Sequence, residues 1–196
     1  MAAVELALIA PLLALIMLGI TDLVQFMRAQ VRVETTAVQV GQTVSQCDAI
    51  SSPGDTGQFW ALAQGTLGSV ATVRGAQTTS GGGATGAVVV TAVRNLNGAN
   101  RVAWQVRTGA ATHASAIGSS GGAAALPGTY VVPPGQLLIV TEVFAPTQPW
   151  VLSRALMAID ALPQVLSATS MHLSRLPDAT AVTQGPSNNN ATVCMS

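Results

Sequence analysis

AAVELALIAPLLALIMLGI, residues 2–20, carries a single charge, Glu5. At ~1.5 Å per residue this run makes a helix of roughly 28 Å, close to the ~30 Å hydrocarbon core of a bilayer, so length and composition predict one spanning helix. A cleaved secretory signal fits poorly, because no basic residue precedes the apolar run and Glu5 lies inside it. The nearest basic residues, Arg28 and Arg32, stand on the C-terminal side. By the positive-inside rule that asymmetry alone holds the rest of the chain in the cytoplasm; a basic leader removed ahead of Met1 reverses it. Glu5 sits about one turn into the helix, where the N-terminal dipole favours a carboxylate but burial requires it to lose its water. The α-amino group of a neighbouring copy has the size and charge to offset that cost, whereas a position among lipid headgroups needs no partner.

The helical pattern continues past residue 20, for after Gly19 neither glycine nor proline occurs until Gly41. One apolar stripe runs Val24, Met27, Val31, Val38 and another Val33, Ala37, Val40, Val44, both at i, i+3, i+4, i+7 spacing. The spacing predicts one helix over 2–45, roughly 65 Å long at ~1.5 Å per residue. Residues 1–22 form its membrane or bundle part and residues 23–48 its amphipathic continuation, with Asp22, Arg28, Arg32 and Glu34 on polar positions. Pro11 removes a backbone donor and is expected to bend the helix, which membrane helices tolerate.

Met1-Ala2-Ala3-Val4-Glu5-Leu6-Ala7-Leu8, then Pro11-Leu12-Leu13 and Leu18-Gly19-Ile20, resembles the opening of TadE-like minor pilins, pseudopilins of the Tad or Flp-type pilus. Leu6 stands where that family often carries an aromatic. The resemblance covers the first quarter of the chain well. It implies a prepilin peptidase cut that leaves Met1 as the mature N-terminus, and assembly roles for Glu5, Pro11 and Gly19. It also implies a pilin-like plan, with other pilin subunits as partners.

The remaining chain reads as a globular domain over 49–178 and a polar tail over 179–196. A break at Ser51-Ser52-Pro53-Gly54-Asp55 precedes a short amphipathic helix from about Thr56, marked by Phe59, Leu62, Ala63, Leu67 and Val70. The period then changes to two. Residues 87–96 and 101–108 flank Asn97-Gly98-Ala99-Asn100 as a hairpin, with Val102, Trp104 and Val106 on one face and Arg101, Gln105 and Arg107 on the other. Further strands are expected over 135–145 and 165–176, and a short helix over 150–161. The Gly/Ala/Ser/Thr-rich stretches 79–86 and 110–128 read as flexible surface loops. Together these elements predict an α+β fold, a long N-terminal helix packed on an antiparallel sheet of four or five strands. Trp60, Trp104, Trp150 and Tyr130 are expected to be large pieces of the core.

Only 8% of the 196 residues are charged, the net charge is zero and hydrophobic residues make up 49%. Nucleic-acid binding is excluded for want of a basic footprint, and disorder for want of charge. The chain has no lysine, which removes a Walker A loop, a Schiff-base lysine and a serine–lysine dyad. His113 and His172 lack a catalytic-loop setting, and with two cysteines they share no metal-ligand spacing, so no enzyme, cofactor or metal is expected. Cys47 and Cys194 are the two cysteines. An intramolecular disulfide, an intermolecular one and free thiols all fit, and export favours the first. The expectation is therefore a structural pilin-like subunit, inserted once in a bacterial inner membrane and then placed in a surface pilus. A single-pass anchored binding module, an adhesin or receptor, is the alternative.

Overall fold

The computed structural model describes residues 2–73, 84–147, 163–175 and 187–194, with side chains from Ile9 onward. Helix α1 is unbroken over Ala2–Ser45 and continues through Pro11. Its end is tightened by i→i+3 bonds, Gln46 N–H donating to Thr43 (3.2 Å) and Cys47 N–H to Val44 (3.1 Å). Strand β1 (Ser51–Pro53) leads into helix α2 (Gly54–Leu67), which stops at Gly68, whose φ of 58° suits a residue without Cβ. Four strands follow, β2 (Ala87–Leu96), β3 (Ala99–Gly109), β4 (Leu137–Pro146) and β5 (Val165–Leu173), and then the short β6 (Ser187–Asn189). The antiparallel sheet has the order β3-β2-β4-β5, while β1 and β6 pair in parallel.

The second apolar stripe of α1 is the one that docks. Val33, Ala37, Val40 and Val44 are buried against Val88, Val90, Ile139 and Val143 of the sheet and Phe59, Ala63 and Leu67 of α2. The other stripe, Val24, Met27, Val31 and Val38, stays exposed. Asp22, expected on a polar position, is buried; it precedes Phe26, Ala29 and Val33 on the side of the helix that faces the domain. Gly41 is what lets α1 approach β5 closely. A Cβ there would lie 2.7 Å from His172 Cδ2 and 2.8 Å from Ser170 Oγ, and one turn earlier Ser170 Oγ donates to the Ala37 carbonyl at 2.6 Å. Gly41→Leu is accordingly expected to cost about 3 kcal/mol through overpacking, whereas Gly65→Ala in α2, where nothing lies within 4 Å, should gain about 0.5–1 kcal/mol of helix propensity. Urea unfolding of the two variants checks this; equal effects would show that the helix–sheet contact is not tight.

Three expectations about the sheet are corrected. The hairpin turn is the dipeptide Asn97-Gly98, both at positive φ (54° and 83°), so Ala99 and Asn100 already pair with Leu96 and Asn95. Val102 does not share a face with Trp104 and Val106. Ala92 pairs with Trp104 and Val93 with Val102, so Ala103 is an extra residue that shifts the alternation by one. Trp104 therefore joins the core under α1, and Val102 joins a second core on the opposite face with Val93, Leu138, Val140, Ile117 and Val132. The stretch expected as a flexible loop over 110–128 covers that second core. Glu142, buried in β4, holds it: its carboxylate accepts hydrogen bonds from Ser115 Oγ and from Ala116 N–H (2.9 Å). Arg107 Nη2 donates to the Ala110 carbonyl (2.7 Å) and Asn100 Nδ2 to the Tyr130 carbonyl (2.6 Å). Of the four large aromatics, Trp104 is buried, Trp60 packs partly on the core and Tyr130 is exposed. Trp150, the helix expected over 150–161 and most of the 79–86 loop lie outside the described residues.

Candidate functional site

The projecting half of α1 is the part of the molecule that the fold leaves uncovered. Leu12, Leu13, Leu15, Met17, Ile20 and Leu23 are each more than half exposed, on every side of the helix. Thr21 is the one polar side chain between residues 9 and 21, and its hydroxyl donates to the Leu18 carbonyl at 2.7 Å. No polar side chain in that stretch is thus left needing water. The helix is long and apolar enough to cross a membrane. Glu5 belongs to the first turns of α1, while its side chain and Met1 lie outside what the structure describes. Pro11 is exposed and Gly19 half-buried on the same projecting segment.

A second constellation fixes the far end of the molecule. Cys47, just past α1, is joined by a disulfide to Cys194, with the two Cα atoms 4.4 Å apart. Beside the bond lies Asp55, in the first turn of α2 and only 1% exposed. It accepts from Ser51 N–H and Ser51 Oγ, both at 2.8 Å, from Val193 N–H at 3.1 Å and from Cys194 N–H at 3.3 Å. Burial pushes the Asp55 carboxyl up, but the hydrogen bonds from the Ser51, Val193 and Cys194 backbone and the Ser51 hydroxyl outweigh it and hold the group below the ordinary 3.8. Ser51 Oγ also reaches the Ala191 carbonyl, and Ser187 N–H donates to Ile50 at 2.8 Å. The polar tail is thereby tied down by one covalent bond, one carboxylate and a short parallel pairing. Sequence reading pointed to Cys194 but missed Asp55, whose one signal was an acid in the first turn of a helix.

The two histidines are not brought together. His113 stacks on Phe144, with ring centroids 5.4 Å apart, on the loop-covered side of the sheet. His172 meets Gly41 on the α1 side. Among the described residues no three His, Cys, Asp or Glu side chains cluster as metal ligands.

Fold and site together define an α+β protein built on one membrane-capable helix, exposed over residues 9–18 and forming in its second half the spine of a small domain. Over residues 1–41 the chain matches the family described as TadE-like protein, the stretch on which the resemblance read from Glu5, Pro11 and Gly19 rests. No curated protein and no solved structure matches it.

Proposed function

We propose that this chain is a structural, pilin-like subunit of a Tad-type pilus, a minor or tip component that anchors in the bacterial inner membrane and then enters a surface filament used in attachment. The observation that carries the reading is the division of α1. Among the described residues its TadE-like segment is exposed from residue 9 to residue 18, and its second half is locked into a disulfide-closed domain. Such a helix exchanges lipid for neighbouring copies of itself without rearrangement of the domain. Other pilin subunits are then its partners, prepilin peptidase its processing enzyme, and Glu5 the ion-pair partner of a neighbouring Met1 amine.

Two measurements test this. The intact mass and N-terminal sequence of the native protein, set against its reading frame, should show Met1 exposed by removal of a leader ending in glycine; an unprocessed chain would favour an anchored binding module. Glu5→Ala should leave the protein in the inner membrane but lower its recovery in sheared filaments by at least about tenfold, because breaking a buried ion pair costs roughly 3–5 kcal/mol. Wild-type recovery of Glu5→Ala in filaments would remove the ion-pair role.

A further inference from the structure

Arg28 and Arg32 lie one helical turn apart on α1 and line a cleft of about 330 Å³ with Gln25, Ala29, Val70 and Pro146. Both side chains are exposed, and neither guanidinium has a hydrogen-bond or ion-pair partner among the described residues. Glu34, the nearest acid along the helix, instead accepts from Gln30 Nε2 at 2.8 Å. Two unpartnered guanidiniums sharing one cleft are notable in a chain with eight cationic side chains and zero net charge.

Their height along the helix says what reaches them. The apolar run that begins at Ala2 fills a ~30 Å hydrocarbon core by about residue 22, where Asp22 is the first charge after Glu5, so the hydrocarbon boundary falls in the early twenties. Arg28 is six residues past Asp22, roughly 9 Å at ~1.5 Å per residue, and the interfacial layer beyond the hydrocarbon is about 5–7 Å deep. Helical side chains lean toward the N-terminus, here toward the membrane, and arginine is long enough to cover the difference. We infer that the Arg28–Arg32 cleft binds the phosphate of an anionic phospholipid headgroup while the protein is in the membrane. Two forks about 5–6 Å apart at their Cβ atoms straddle one phosphodiester, each donating to a non-bridging oxygen. Ala29, Val70 and Pro146 supply an apolar floor, and Leu23 and Val24 lie below, at the hydrocarbon boundary, to meet the acyl chains. The inference rests on the membrane-anchored reading of α1 and goes beyond it by assigning a lipid class.

The test uses the full chain in vesicles of phosphatidylcholine with and without phosphatidylglycerol. Flotation after an alkaline wash reports insertion, and native mass spectrometry reports the lipid that stays bound. Wild type should retain phosphatidylglycerol over phosphatidylcholine by about 25-fold, since each of the two juxtamembrane arginines contributes roughly fivefold. Arg28→Gln/Arg32→Gln should float equally and lose the preference, and Arg28→Lys/Arg32→Lys should keep part of it because charge remains but the fork is lost. Inserted wild type with no preference, or a glutamine variant that keeps it, would overturn the assignment. So would arginine-dependent binding of inorganic phosphate in pure phosphatidylcholine without any preference for phosphatidylglycerol, which would make the ligand a soluble anion. Failure of wild type to float would overturn anchoring itself, and the lipid site with it.

Discussion

Reduction of the Cys47–Cys194 bond is expected to lower the thermal midpoint of the domain by about 10–20 °C. The bond joins residues 147 apart in sequence and closes a loop containing α2 and every strand of the sheet. In the chain-entropy account a loop of that size restricts the unfolded chain by about 5 kcal/mol, and each kcal/mol moves the midpoint of a protein this long by roughly 2–4 °C. Only α1 lies outside the loop, and its docked stripe loses its anchor at the Cys47 end. Melting curves with and without reductant, repeated on Cys47→Ser/Cys194→Ser, measure the effect. The serine pair should match the reduced wild type, because the loss comes from the cross-link and not from the sulfur atoms. A shift of only a few degrees would mean that the Asp55 clamp and the β1–β6 pairing hold the tail without covalent help.

How much of this was legible in the sequence depends on the range of each signal. The long helix was visible to its ends, since the stripe Val33, Ala37, Val40, Val44 repeats at the helical period and nothing breaks it before Ser45. The central strands were visible by alternation and β-branching, whereas the loose alternation of β5 did not decide its inner face, which buries Leu166 and Ser170. The bulge at Ala103 was not, because one inserted residue inverts the faces of a strand without changing its composition. The order in the 110–136 stretch was hidden too. Ile117 is an isolated apolar residue among Gly, Ala and Ser, and the carboxylate that fixes its neighbours Ser115 and Ala116, Glu142, comes from a strand more than twenty residues away; Val132 is held by the side chains of Asn95 and Asn100, more than thirty residues before it. The same holds for the arginine cleft: Arg28 and Arg32 stood out as the first basic residues, but Val70 and Pro146 reach them only through the fold.

Asp55 carries the other large effect. Asp55→Ala is expected to cost about 3 kcal/mol, because charge-assisted bonds are worth roughly 1.5–3 kcal/mol and the N–H groups of Ser51, Val193 and Cys194 lose their acceptor together. The loss stays below the sum of those bonds, since a cleft lined by Asp55, Gln58, Thr192 and Cys194 can admit water to the freed donors. Asp55→Asn keeps the shape and one acceptor and should cost about half as much. The pH dependence separates this carboxylate from a merely buried one. Its folded-state affinity for protons lies below the ordinary 3.8, so its contribution is complete above that pH and fades as the pH falls through the lower folded value. The stability difference between wild type and Asp55→Asn should therefore be flat from neutral pH to about pH 5 and shrink below about 3.8. If burial outweighed the hydrogen bonds, the wild type would instead gain on the variant as the solution is acidified. In the Cys47→Ser/Cys194→Ser background the cost of Asp55→Asn should change, because the tail that supplies Val193 and Cys194 is then held without a covalent bond, by the carboxylate, the Ser51 hydroxyl and the β1–β6 pairing. A double-mutant cycle with zero coupling would mean that the disulfide and the carboxylate stabilise the tail independently.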